Sequence, residues 1–112
     1  MTDIKSYDLA ELDNFSFGDE EFKKELIGIF LEQIPVFIDN LNLYLEKQNW
    51  ESFAREAHTA KSSVLIFGMH NTGKMLKELQ KMAEAGETAD LAQLLNLVIA
   101  DLHEVHEHLK NL

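Results

Sequence analysis

The sequence predicts an all-α domain, and three observations predict it. One Pro and five Gly are spread over 112 residues, so long stretches carry no breaker. β-branched residues form few runs, and apolar residues recur at three-and-four spacing, the period of one helix face. Apolar residues make up 46% of the chain and charged residues 27%, a globular balance. At this length residues 1–112 form one domain, without room for a second core.

Residues 1–18 read as a leader packing on the end of the bundle. Tyr7, Leu9 and Leu12 suggest a short helical turn, and Asn14-Phe15-Ser16-Phe17-Gly18 an ordered loop whose aromatics cap the bundle end. Asp19 is a good N-cap for a helix over 20–34 that carries Phe22, Leu26, Ile29, Phe30 and Gln33 on one buried stripe. Pro35 lacks the amide hydrogen the helical ladder needs but fits a first turn. It therefore ends or kinks that helix, and residues 35–48 continue with Ile34, Phe37, Leu41, Tyr44 and Leu45 on one side, giving two helices or one bent helix.

Asn49 caps the next helix, from Trp50 to about Phe67, which Gly68 stops. Thr72, Met75, Leu76, Leu79, Met82 and Ala83 mark another, ending at Ala85-Gly86. Thr88 or Asp90 starts the last. Its stripe of Leu91, Leu94, Leu95, Val98, Leu102, Val105 and Leu109 is the most regular in the chain. The short connections favour antiparallel neighbours.

Ten Lys and Arg against twenty Asp and Glu give a net charge of -10, spread along the chain. Such a surface repels phosphate backbones and anionic lipids, which argues against nucleic-acid or membrane binding and for a protein partner. The absence of cysteine excludes disulfides, thiolate nucleophiles and Cys-rich zinc sites. The start of the chain lacks a basic segment followed by an apolar run, and no segment approaches about 18 uninterrupted apolar residues, so the expected location is the cytoplasm.

The stretch Ala54–Gly68, AREAHTAKSSVLIFG, contains one histidine away from its apolar face. On a helical wheel Trp50, Phe53, Ala57, Ala60, Val64 and Phe67 fall within an arc of about 100°, and His58 lies roughly 130° from its centre. Glu51, Ala54, Arg55, Lys61, Ser62 and Leu65 share the outer side. Ala54 and Ser62 are small enough to let a macromolecule approach the ring, and Leu65 and Ile66 offer apolar surface beside it. Lys61, one turn on, suits an anion held at the imidazole. A lone surface histidine is more often a tolerated polar residue, and the wheel by itself does not decide.

The pattern Ala57-His58-Thr59-Ala60-Lys61-Ser62-Ser63, with Gly68 ten residues after the histidine, resembles the histidine-containing phosphotransfer (HPt) domains of multistep phosphorelays. The resemblance covers roughly residues 8–110. Phe30-Leu31-Glu32-Gln33-Ile34-Pro35 with Leu41 looks like the family's first helices, and Asn49–Phe53 like the turn into the histidine helix. Leu76, Leu79 and Gln80 look like the next helix. Ser62 departs from the pattern, because that position is usually glycine; its hydroxymethyl either narrows a partner's approach or donates to a phosphoryl oxygen.

The resemblance implies an antiparallel four-helix bundle with one or two additional N-terminal helical segments, making the whole chain a single phosphotransfer domain. It implies reversible phosphoryl transfer between His58 and an aspartate of a response-regulator receiver domain. His58 is then the phosphoacceptor, Lys61 steadies the phosphoryl group, Gln80 orients the imidazole, and Ser62 occupies the small position beside it. Phe30, Ile34, Leu65 and Met69 are candidates for docking the partner. The chain brings no cofactor of its own, and Mg²⁺ comes with the receiver. Partners are receiver domains and a possible hybrid histidine kinase, with the chain itself a monomer.

No GxxxxGK[ST] or GxGxxG motif occurs, so ATP-dependent autophosphorylation is not expected. Three other readings compete. The same bundle would serve as a non-catalytic module that binds a receiver or kinase without accepting phosphate. In HEVHEH, His103 with His106 and Glu104 with His108 each offer a metal two ligands, a weak site; polar residues flanking a buried stripe explain them as well, and His70 likewise reads as a helix-end polar residue. A hydrolase with paired carboxylates has no fixed pair to support it.

Overall fold

The structure, a computed structural model, describes residues 9–112. Among them are five helices and no strand: α1 (Leu9–Phe15), α2 (Glu20–Glu46), α3 (Trp50–Ile66), α4 (His70–Ala85) and α5 (Leu91–Lys110). α2 to α5 form an antiparallel four-helix bundle in which α3 packs on α2 and α4, and α5 closes the ring on α4 and α2. Among the described residues α1 is the one additional helix, lying against α3.

The ends follow local chemistry. The Asp19 carboxylate accepts from the Glu21 and Phe22 amides, and Asn49 Oδ1 from the Ser52 amide, so two of the four long helices begin on side-chain caps. α5 begins at Leu91 after Asp90, without a side-chain cap. Gly68 and Gly86, with φ of 69° and 73°, take the left-handed conformation that ends α3 and α4.

Pro35 does not divide α2, which runs unbroken from Glu20 to Glu46. Proline costs a helix interior about 3 kcal/mol through the lost hydrogen bond and the clash with the preceding turn. On either side of it Phe30, Ile34, Phe37 and Leu41 are buried on one face. At about 1.5–3 kcal/mol for each of these side chains, burial outweighs the defect.

The core joins that stripe to Phe53, Ala57, Ala60 and Val64 of α3, Leu76 and Leu79 of α4, and Leu95, Val98, Leu102 and Val105 of α5. Phe30 and Phe67 stack at 4.2 Å between ring centroids. Several positions differ from the helical-wheel reading. Phe22 and Ile29 are exposed, and Trp50, Tyr44, Leu45, Met75, Met82 and Leu94 are only half-buried. A bundle helix touches two neighbours over a limited arc, so the edges of each apolar stripe stay in contact with water.

The N-terminal aromatics do not cap the bundle. Leu12 and Ser16 turn inward instead; Phe17 is 94% exposed, and Phe15 stacks on Phe22 at 6.3 Å. Phe17 and Gly18 both have positive φ, which reverses the chain and swings the Phe17 ring outward. Tyr7 and the side chain of Leu9 lie outside the described residues. Two polar ties hold α1: Asp13 to Lys23 at 2.7 Å, and Glu11 Oε1 to His70 Nε2 at 3.3 Å. The hydrogen bond to Asp13 holds the Lys23 ammonium above its ordinary pKa.

α2 has an 18-residue window of mean hydropathy 1.3 and is long and apolar enough, by length and composition, to cross a membrane. In the bundle Phe30, Ile34, Phe37, Ile38 and Leu41 of this helix are buried, while Ile29, Val36 and Leu43 remain exposed.

Phe30→Ala is expected to cost about 3–5 kcal/mol, the range for an aromatic removed from a core, read from urea denaturation. Pro35→Ala is expected to raise the urea midpoint, because it returns an amide donor to the Leu31 carbonyl; a lowered midpoint would mean that the proline conformation itself stabilises the bundle.

Candidate functional site

The site lies across α3 and α4, the most extensively packed pair of helices. The inner side chains of α3 here are Ala57 and Ala60, both fully buried, and a Cβ added to Gly73 of α4 would stand 2.7 Å from Leu65 Cδ2. The missing Cβ of Gly73 lets the two backbones approach there. The turn Phe67–Met69 then returns the chain so that Gln80, 22 residues after His58, lies beside it.

His58 is exposed, and its Nδ1 is 3.3 Å from Gln80 Oε1. Gln80 Nε2 donates in turn to Glu84 Oε2 at 3.1 Å. This second bond decides the direction of the first. A carboxylate accepts only, so it takes the amide NH₂ and leaves the amide oxygen facing the imidazole. Nδ1 must then carry the proton and donate, and Nε2 presents its lone pair to solvent.

Lys61, on the next turn, is half-buried and has no ion-pair partner among the described residues. Ser62 Oγ donates to the His58 carbonyl at 3.3 Å, which folds the hydroxyl back along the helix. Thr59 does the same toward the Arg55 carbonyl at 3.1 Å. Ser62 thus adds little more than a methylene to the surface beside the ring.

The expected docking residues divide. Leu65 is 39% exposed on the same side of α3 as His58. Phe30, Ile34 and Met69 are core residues, at most 1% exposed, and a partner cannot touch them. Phe30 is held under Phe67, and Met69 is sealed in the α3–α4 turn. Ala54, read as a small surface neighbour of His58, is also buried. Glu84 was not anticipated; the signal for it is its place four residues after Gln80, where two side chains on one helix meet.

The other histidines lie elsewhere. His70 opens α4 opposite Glu11. His103 and His106 flank a notch of about 200 Å³ with Ile34, Pro35, Ile38 and Asp39. Among the described residues no group of three or more His, Asp or Glu side chains is placed to hold a metal ion.

Residues 25–111 match the family model described as Hpt domain. The chain belongs to the Hpt domain family. Hpt domains work in the phosphorelays of two-component signalling, where they interact with receiver domains and kinases, and that is the broad role of this chain. Neither a curated protein nor a solved structure matches it.

Two substitutions test the imidazole's orientation in this Hpt domain. Gln80→Leu removes the acceptor and is expected to shift the neutral His58 ring toward the Nε2–H tautomer, read from its ¹⁵N chemical shifts. Glu84→Leu frees the amide to turn and is expected to shift them in the same direction by less. Unchanged shifts in both variants would contradict the hydrogen-bond chain.

Proposed function

We propose that this Hpt domain is a phosphorelay carrier whose His58 accepts a phosphoryl group from a receiver aspartate and passes it to another receiver. The observation that carries the reading is the His58–Gln80–Glu84 chain, which holds Nδ1 as donor and leaves Nε2 free on an exposed ring. In the forward step the Nε2 lone pair attacks phosphorus in line. The P–N bond forms as the aspartyl P–O bond breaks, and the carboxylate leaves with the electron pair. The reverse step charges a second receiver.

Such transfers depend on alignment and on neutralising the equatorial oxygens. Gln80 and Glu84 align the ring, and the Lys61 ammonium, which has no ion-pair partner among the described residues, meets the phosphoryl charge. The acidic ligands and Mg²⁺ belong to the receiver. Ser62, its hydroxyl turned back to the helix, leaves the approach open, and Leu65 offers apolar contact beside it. The whole chain acts as one phosphotransfer domain, a monomer in the cytoplasm, with receivers and a hybrid kinase as its partners.

The test is incubation with a phosphorylated receiver and Mg²⁺. The chain is expected to take up acid-labile, alkali-stable phosphate and His58→Gln none; uptake by the variant, or none by the wild type from any receiver, overturns the reading in favour of another acceptor or a module that only binds. Ser62→Gly is expected to transfer at about the wild-type rate. Ser62→Leu is expected to lose about 10²-fold, the scale of a misplacement of roughly 1 Å.

A further inference from the structure

α2 carries a second pattern that the core does not use. Phe22, Ile29, Val36 and Leu43 recur every seven residues and are 38%, 51%, 53% and 43% exposed. Positions seven apart drift by only about 20° on a helix, so the four stand in one row, roughly 10 Å apart along the axis, with Leu26, Gln33 and Asn40 between them. Three residues after each stands an exposed carboxylate: Glu25, Glu32, Asp39 and Glu46. This acidic row runs beside the apolar one, about 60° around the helix.

The charge is uncompensated. From Glu25 to Glu46 the helix has no Lys or Arg, and none of the four carboxylates has an ion-pair partner among the described residues. Midway along the row Ile29, Glu32, Gln33, Val36 and Phe37 line a depression of about 290 Å³, with apolar walls and a carboxylate at the rim. Asn40, one turn from both Val36 and Leu43, donates to Glu56, so the row borders α3. His58 bonds in the opposite direction, to α4.

We infer that this face of α2 docks an amphipathic helix of a partner protein, one with an apolar seam flanked by Lys and Arg. A row at heptad spacing is the line a partner helix crossing at about 20° follows, and the open span from Ile29 to Leu43, beyond the Phe15–Phe22 stack, accommodates roughly 20 Å of it. Charge selects the occupant. A second copy of this chain would set carboxylate row against carboxylate row between molecules of net charge -10, and an anionic lipid surface meets the same repulsion. A basic helix satisfies both rows at once. The inference does not depend on phosphate transfer.

Fluorescence anisotropy of the full chain tests it. The probe is a labelled synthetic helix with leucine at the seam and lysine beside it, compared with a peptide of the same composition whose order breaks the heptad. The heptad peptide is expected to bind one-to-one, more weakly as salt rises, and equally well to His58→Gln. Ile29→Ser with Val36→Ser, and separately Glu32→Lys with Asp39→Lys, are expected to weaken it at least about tenfold, as loss of central contacts does. All four side chains are exposed, and circular dichroism checks that each variant keeps its helices. Equal binding of the scrambled peptide, or wild-type affinity in either double variant, overturns the inference. So does sedimentation of the chain as a dimer that Ile29→Ser with Val36→Ser dissociates, which would assign the face to a second copy.

Discussion

The close approach of α3 to α4 is the constraint on which the site depends. It is made in part by what is missing: Gly73 brings no Cβ where Leu65 already stands. A wider interface filled by larger side chains would pack equally well but would carry Gln80 away from the ring. Hydrogen bonds weaken steeply beyond the 3.3 Å at which Gln80 Oε1 and His58 Nδ1 stand. A shift well under the width of one methyl group therefore separates an oriented imidazole from a freely rotating one.

The rest of the bundle keeps that interface in register. Two other helix pairs have a polar tie beside their apolar contacts: Asn40 to Glu56 between α2 and α3, and Thr72 to Asp101 at 2.8 Å between α4 and α5. Apolar packing tolerates sliding and a hydrogen bond does not, so these ties fix how the helices stand along their axes. α2 shows the other side of the balance. It accepts Pro35 because one broken hydrogen bond weighs less than the stripe buried around it.

Much of this is legible in the sequence, for identifiable reasons. The boundaries of α3 and α4 follow from Asn49, Gly68 and Gly86, whose caps and left-handed turns are local chemistry. The outward direction of His58 follows from the period of Phe53, Ala57, Ala60 and Val64. What one helix cannot reveal is which neighbour covers its flanks. Ala54 is buried although it lies off the centre of its apolar stripe, whereas Ile29 is exposed although it belongs to an apolar run. Phe30, Ile34 and Met69 are apolar residues near the family motif, and only the assembled bundle distinguishes core from docking surface. The resemblance points to Gln80, which stands in contact with His58, while Glu84, to which Gln80 donates, carries no motif.

On the proposed reading α3 and α4 together hold one ring nitrogen of His58. Nδ1 is occupied from within the protein, and Nε2 is turned to whatever approaches from solvent. The most direct measurement is ³¹P–¹⁵N correlation on the ¹⁵N-histidine-labelled chain after phosphorylation by a receiver. The account requires one phosphoryl group, coupled to Nε2 of His58. Coupling to Nδ1, or phosphate on any of the other four histidines, would contradict it.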